Sequence, residues 1–231
     1  MERGVGWMNE SAVRLEEQII SLFSEWETEI CQGWILKKMG RHLLVYPLYG
    51  NCSHMNILDN IHKCEEISCQ DNLDCMFRIV EYTNYYLSSV LADNGYRVEK
   101  CCVVGELYLM GTGSCLCESE MQKCRLFLKQ GKRTETVEYV MAEPDISIGI
   151  KKQNLLFLPD GILPDSTGLE EVLQFGVENG ITKILADIPG REELPEQYKR
   201  AGFSKAYLYR CYQKEEKSSK KQEDLRNGFT E

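Results

Sequence analysis

Apolar residues recur at helical spacing over positions 11–31. Leu15, Ile19, Leu22, Phe23, Trp26 and Ile30 share one face, and Ser11 can cap the start. Gly33 ends that run and alternation takes over. Residues 34–38 and 43–48 predict two strands folded about Gly40-Arg41, closed by Pro47, Gly50 and Asn51. Helical spacing returns over 55–68, with Ile57, Ile61 and Cys64 inward. Residues 76–80 make a short apolar strand. Thr83 then caps a helix that runs to Asn94 and buries Leu87, Val90 and Leu91. Gly95 stands where a left-handed helix terminator is expected. Residues 96–110 read as one long strand or a bent pair.

Glycine and polar residues interrupt the pattern over 111–123. Strands are expected beyond them at 124–128, 137–141, 146–150 and 155–158, the last stopped by Pro159. A loop over 161–168 leads into a helix in which Leu169, Val172, Leu173, Gly176 and Val177 line one side, ending at Gly180. A strand at 183–188, a short helix at 191–201 with Pro195 near its start, and a strand at 206–212 complete the series. Strand–loop–helix–strand–helix–strand is α/β alternation, in which a parallel strand pair carries a ligand at its carboxyl edge. The expected organisation is a half over 1–112, a linker over 113–123, a second half over 124–214 and a polar tail over 215–231. The two halves show no close repeat by identity.

The chain of 231 residues is 43% hydrophobic and 27% charged, a globular balance that excludes disorder over most of its length. Its net charge of −9 argues against broad binding to nucleic acid or to an anionic membrane, while leaving room for one basic patch that holds an anionic cofactor. No apolar run is long enough to span a membrane, and the first ten residues lack the layout of a secretory signal, so a cytoplasmic protein is expected. Its 11 cysteines, an odd number, then read as reduced thiols.

Cys52-x-His54, His62-x-Cys64-x4-Cys69, Cys115-x-Cys117 and Cys124 supply metal-ligand types without the paired spacing of a structural zinc site, so no metal is expected. Cys64 also suits the apolar face of its helix. Cys115 and Cys117 have no nearby histidine to make a dyad. Glu106, Glu138 and Glu143 are candidate general bases acting through water, and Tyr82, Tyr85 and Tyr86 either line a groove or cover a contact.

A helix opening after a strand presents free N–H groups that can hold phosphate. Here those are the amides of Asp165, Ser166, Thr167 and Gly168, although Asp165, Ser166 and Thr167 equally suit helix capping.

The ending Gln197-Tyr198-Lys199-Arg200-Ala201-Gly202-Phe203, followed by Ala206-Tyr207-Leu208-Tyr209, resembles the close of the GNAT acetyltransferase superfamily. The first half adds Glu17, Trp26, Gly33-Trp34-Ile35-Leu36, Pro47-Leu48, Phe77-Arg78-Ile79, Leu91 and Gly95-Tyr96. That series is similar to a branch with an extra GNAT-like segment ahead of the acetyl-CoA domain. The resemblance implies a mixed α/β sheet flanked by helices and built from two GNAT-like halves. It also implies acetyl transfer from acetyl-CoA to an amine, the acceptor being a small molecule or a peptide. Backbone groups of Leu156, Phe157 and Leu158 would hold the pantetheine arm, the next loop the pyrophosphate, and Tyr198 would protonate the leaving thiolate. A homodimer stays open.

The chain departs from the superfamily in its pyrophosphate loop. That loop elsewhere reads Arg/Gln-x-x-Gly-x-Gly/Ala, whereas Asp160-Gly161-Ile162-Leu163-Pro164-Asp165-Ser166-Thr167-Gly168 lacks both the leading cation and the glycine pair. A side chain at Asp165 blocks close approach to phosphate, and its charge repels it. Arg191 stands where an asparagine is usual. Lys151, Lys152, Arg191, Lys199 and Arg200 could supply compensating charge or be ordinary surface. A catalytically silent binding or regulatory protein is therefore the alternative to an enzyme.

Overall fold

The computed structural model describes residues 5–23, 26–48, 54–81, 85–109, 126–130, 137–142, 146–159 and 166–214. The 113–123 segment, the 215–231 tail, Asp160 to Asp165, Tyr82, Thr83, Glu143, Cys52, Cys115, Cys117 and Cys124 lie outside that set. The order is α1 (Val5–Leu22), β1 (Thr28–Cys31), β2 (Trp34–Met39), β3 (His42–Tyr46), α2 (His54–Gln70), β4 (Asp74–Val80), α3 (Tyr85–Asp93) and β5 (Tyr96–Tyr108). There follow β6 (Leu126–Gln130), β7 (Glu138–Ala142), β8 (Ile146–Lys152), β9 (Leu155–Leu158), α4 (Ser166–Glu178), β10 (Lys183–Pro189), α5 (Glu196–Arg200) and β11 (Ser204–Lys214).

One expected element is replaced. The first helix ends at Leu22, nine residues short of the expected 31, and Thr28–Cys31 is a strand. Phe23 and Trp26 stack at 4.1 Å in the turn that follows the helix. Gln32 (φ 48°) and Gly33 (φ 86°) then join Cys31 to its partner Trp34 in a two-residue hairpin with both angles positive, whose twist suits an antiparallel pair. Ile30, expected inward, is 73% exposed on this edge strand.

All strands form one sheet in the order β1-β2-β3-β4-β11-β5-β10-β9-β8-β7-β6. Only β3/β4 and β9/β10 are parallel. Each parallel pair opens half of the sheet, and the halves exchange their last strands. β11, the end of the second half, lies between β4 and β5, while β5, the end of the first, lies between β11 and β10.

The registers reveal a repeat that identity hides. On β3/β4 the last pair is Val45↔Phe77, and on β9/β10 it is Leu158↔Ala186. Arg78 and Asp187 are thus the first residues past each last pair. Arg78 faces Cys211 on β11, and Asp187 faces Val104 on β5. Tyr209 and Cys102 pair with each other where the two exchanged strands run side by side. The same correspondence matches Gly95-Tyr96 with Gly202-Phe203, and Leu91 on α3 with Tyr198 on α5.

The helices divide between two faces. Trp34, Leu43, Val45 and Phe77 pack beneath α2 and α3, which contribute Ile57, Ile61, Leu87 and Leu91. On the same face of the second half, Val103, Ile184, Ala186 and Leu208 pack with Leu169 and Val172 of α4 and Tyr198 of α5. Gly176 lets α4 approach the sheet, since a Cβ there would meet Leu109 at 2.9 Å. Val177, expected inward, is mostly exposed. Among the described helices α1 covers the opposite face, through Ala12, Leu15, Ile19, Ile20 and Leu22. Both halves hold its carboxyl end: Lys37 Nζ donates to Phe23 O at 3.0 Å and Lys152 Nζ to Ser21 O at 3.2 Å. Cations at a helix carboxyl end meet free carbonyls and the negative end of the dipole.

Candidate active site

The parallel pair β9/β10 is where the second half can open. Pairing with β10 runs from Leu155↔Lys183 to Leu158↔Ala186 and stops there. Pairing of β9 with β8 ends one residue earlier, at Phe157↔Ile150. Strand β10 continues through Asp187, Ile188 and Pro189, paired with β5 on its other edge. Among the described residues its β9-facing edge has no strand partner there, and Leu158 keeps a strand neighbour on one side only. Of the three residues expected to hold a pantetheine arm, Leu156 and Phe157 sit within both ladders, and the open edge begins at Leu158. Leu156 and Leu158 point into the α4/α5 core, while Phe157 points to the α1 face and meets Phe23 edge-on at 5.8 Å.

Tyr198 is the buried residue of α5, 2% exposed, and its ring meets Phe203 edge-on at 5.3 Å. Pro195 starts this helix, and Gly202 (φ +92°) ends it, with Phe203 N donating to Tyr198 O at 2.9 Å. The hydroxyl is buried without a hydrogen-bond partner among the described residues. Burial raises its pKa, so it is held as a neutral proton donor. It shares its apolar cluster with Leu158 and Ile188, which flank the open edge.

The remaining candidates scatter. Ser166 and Thr167 open α4, their side chains outside the described set; Gly168 lies in its first turn, and Asp165 is undescribed. Arg191 is exposed in the turn after β10, as is Arg200 at the end of α5. Lys151 pairs with Glu138 across β7/β8, Lys152 holds α1, and Lys199 pairs with Glu196 at 3.0 Å. Glu106 pairs with Lys183 at 3.3 Å. Tyr86 is an exposed residue of α3. Cys64 is fully buried, and burial raises its pKa, as expected of a thiol acting as a small hydrophobe. Among the described residues no group of three or more histidine, cysteine or carboxylate side chains is placed to hold a metal.

No family model matches the sequence, and no curated protein matches it. Solved structures do. A GCN5-related N-acetyltransferase from Kribbella flavida superposes with a TM-score of 0.59 at 9% identity, covering 89% of this chain and 96% of that one. A conserved protein of unknown function from Staphylococcus epidermidis gives 0.54 at 8% identity, covering 85% and 97%. The chain has the GNAT fold. At such identities the likeness establishes architecture and leaves the chemistry to the residues.

Within this GNAT fold the two halves meet at a buried polar cluster beneath α1. Glu16, Arg78 and Asp187 are all buried. Arg78 donates through Nε to Glu16 Oε1, through Nη2 to Glu16 Oε2 at 3.1 Å, and through Nη1 to Asp187 Oδ2 at 3.3 Å. The Tyr207 hydroxyl donates to Glu16 Oε2, and that of Tyr209 to Asp187 Oδ2 at 2.5 Å. The guanidinium lies 3.4 Å from the centre of the Tyr209 ring. Burial works against its charge, but Glu16, Tyr209 and Asp187 together hold its pKa well above the ordinary value. Burial, reinforced by Glu16 at Tyr207 and by Asp187 at Tyr209, keeps both phenols protonated. Sequence reasoning quoted Arg78, Tyr207 and Tyr209 only as part of the resemblance, and missed Glu16, Asp187 and the cluster they form. The available signal was a lone charge inside each apolar strand, Arg78 in 76–80 and Asp187 in 183–188, since such residues are almost never buried unless paired.

Proposed function

We propose that the protein is an N-acetyltransferase that moves an acetyl group from acetyl-CoA to an amine. The observation that carries the reading is the end of β9/β10 pairing at Leu158↔Ala186 beside the buried, unpartnered hydroxyl of Tyr198. The open edge beyond Leu158 offers main-chain groups to the amide-bearing tail of the thioester. Attack by the neutral amine on the thioester carbonyl forms the C–N bond and breaks the C–S bond. The departing thiolate takes the proton of Tyr198, and the amine loses one to restore it, so atoms and charge balance. Burial keeps that phenol protonated, so a proton is available when the thiolate departs. Holding amine and thioester together supplies much of the remaining rate.

The pyrophosphate would lie at Asp160 to Gly168, ahead of α4, with Arg191 as the nearest cation in sequence. The acidic character of that loop favours a second reading, a GNAT-fold binding or regulatory module that has lost its coenzyme. Calorimetric titration with acetyl-CoA separates the two. Binding that is lost in the presence of excess CoA supports the transferase. Absence of binding at millimolar ligand, with binding created by Asp165→Gly, supports the silent module. In either reading the protein acts away from nucleic acid and membrane surfaces, as its net charge of −9 suggests. Among the described residues no helix is long and apolar enough to cross a membrane.

A further inference from the structure

The cluster under α1 is incomplete in one respect. It holds two carboxylates and one guanidinium, and they are not served equally. Both oxygens of Glu16 accept hydrogen bonds from Arg78, and one accepts a further bond from Tyr207. On Asp187, Oδ2 takes Tyr209 and Arg78, while Oδ1 is buried and has no hydrogen-bond partner among the described residues. The other buried cation among the described residues, Lys37, is committed to Phe23 O and to Thr28 Oγ1 at 2.6 Å. Two carboxylates against one guanidinium leave one acidic group without its own cation, and its place is Asp187 Oδ1, which has no donor among the described residues. A buried charge without compensation costs several kcal/mol, so such a site persists where something positive completes it.

The position of Asp187 says what reaches it. It is the first residue of β10 past the last β9 pair, so its main chain borders the open edge. Its side chain points to the α1 face, like Leu185 two residues earlier, and away from the cluster that holds Tyr198. A molecule in the gap between the strands would thus meet Asp187 from one face and Tyr198 from the other. Oδ2 is fixed by two donors, which leaves Oδ1 oriented before anything binds, and a preorganised acceptor loses little entropy on binding.

We propose that Asp187 Oδ1 binds the positively charged amino group of the acceptor, so that the acceptor is a primary amine captured as an ammonium ion, which releases one proton to solvent before it attacks as the neutral amine, with Arg78 and Tyr209 acting as positioning residues for that carboxylate. The choice of an amine rests on the acyl-transfer reading above, whereas the charge imbalance stands without it. The first half of the molecule takes part through Glu16 and Arg78. Arg78 is the counterpart of Asp187 in the repeat, so the two equivalent positions together build one recognition site.

The test uses the full chain and the variant Asp187→Asn, with n-butylammonium as probe, n-pentanol as its neutral counterpart, and ligand-observed NMR as readout. The ammonium is expected to bind wild type in preference to the alcohol, and to bind the variant roughly 10- to 100-fold more weakly. Without amine, the variant is expected to melt at or above the wild-type temperature, because it removes an uncompensated charge. A purely structural ion pair with Arg78 predicts the reverse. The proposal is overturned if wild type does not prefer the ammonium, if the variant binds it equally well, or if the variant is destabilised or fails to fold. Titration of the same samples with acetyl-CoA keeps the two ideas apart. Ammonium binding without coenzyme binding would remove the transferase reading and leave the cation site; coenzyme binding without ammonium selectivity would do the opposite.

Discussion

Arg78 and Asp187 occupy the same place in two copies of one motif, the first residue after a parallel strand pair ends, and they carry opposite charges. A second equivalent pair differs in the same direction. Leu91 on α3 is fully buried hydrocarbon, while Tyr198 on α5 brings a hydroxyl to a site with no partner for it among the described residues. In the first half, the equivalents have been turned into packing and ion pairing. In the second, each keeps one polar atom unsatisfied, Oδ1 of Asp187 and the hydroxyl of Tyr198. Buried polar atoms are nearly always paired, and although His42 Nδ1 and Asn60 Oδ1 of the first half are also unpaired among the described residues, Asp187 Oδ1 and the Tyr198 hydroxyl belong to residues near one end of the β9/β10 pairing, which is why the proposed site is put there. The first half also contributes Arg78 to the pairing of Asp187.

The largest expected effect tests whether either half exists without the other. A chain ending at residue 203 lacks β11, which is the partner of both β4 and β5. It should fail to fold, because its loss breaks the centre of the sheet on both sides. A fragment of residues 1–112 should fail for the same reason. Circular dichroism during urea titration checks both, and a cooperative transition from the 1–112 fragment would show that the strand exchange is dispensable.

Next comes the charge contrast. Arg78→Ala leaves Glu16 and Asp187 buried without a cation, a change that costs about 3–5 kcal/mol. Asp187→Asn, at the equivalent position, should cost nothing. Urea denaturation of both variants at neutral pH measures the difference, and equal losses would mean that the two positions are ordinary halves of one ion pair.

The repeat was hidden for a physical reason. Strand limits, the α4 helix and the glycine terminators are written in local spacing, and most elements fall where periodicity puts them. Pairing between β11 and β4 joins residues more than a hundred positions apart, and no local pattern records it. The two halves also share few side chains because their equivalent positions do different work: Leu91 packs where Tyr198 offers a hydroxyl, and Arg78 balances charge that Asp187 adds. The missed strand β1 was legible in part. Gln32-Gly33 after an alternating Thr28-Glu29-Ile30-Cys31 is a hairpin signal, overridden by the helical spacing of Trp26 and Ile30. The end of β9 near Pro159 could be anticipated from the sequence, whereas the Glu16–Arg78–Asp187 cluster needed three segments brought together.

A smaller effect sharpens the Leu91–Tyr198 contrast. Tyr198→Phe removes a hydroxyl that is buried without a partner, so the variant should be more stable by about 1 kcal/mol. Its acetyl-transfer rate should fall by roughly 10²-fold or more if the phenol is the proton donor. The two readouts must move in opposite directions. A variant that loses stability would show that the hydroxyl is satisfied in solution, and one that keeps its rate would return Tyr198 to the role of Leu91.

The smallest effect concerns the exchanged strands themselves, where Cys211 on β11 corresponds to Val104 on β5. Burial, reinforced by Cys102 against the opposing pull of Arg78, pushes the Cys211 thiol up from 9.0 to about 12. The folded state therefore holds a proton that the unfolded chain releases above pH 9. The stability tied to this group is complete below pH 9 and is lost as pH rises from 9 to 12, with a slope of at most about 1.4 kcal/mol per pH unit. Cys211→Val, which copies the residue of the other half, removes that term. Wild type and variant should be within about 1 kcal/mol of each other at pH 8, and the variant should gain on wild type steadily above pH 9. Other buried thiols, such as Cys75 with its pKa near 12, still titrate in the variant, so its stability also falls, only less steeply. Urea midpoints across pH 8–11 give both slopes. Parallel slopes would mean that Cys211 ionises freely, and that the centre of the exchanged pair is open to water.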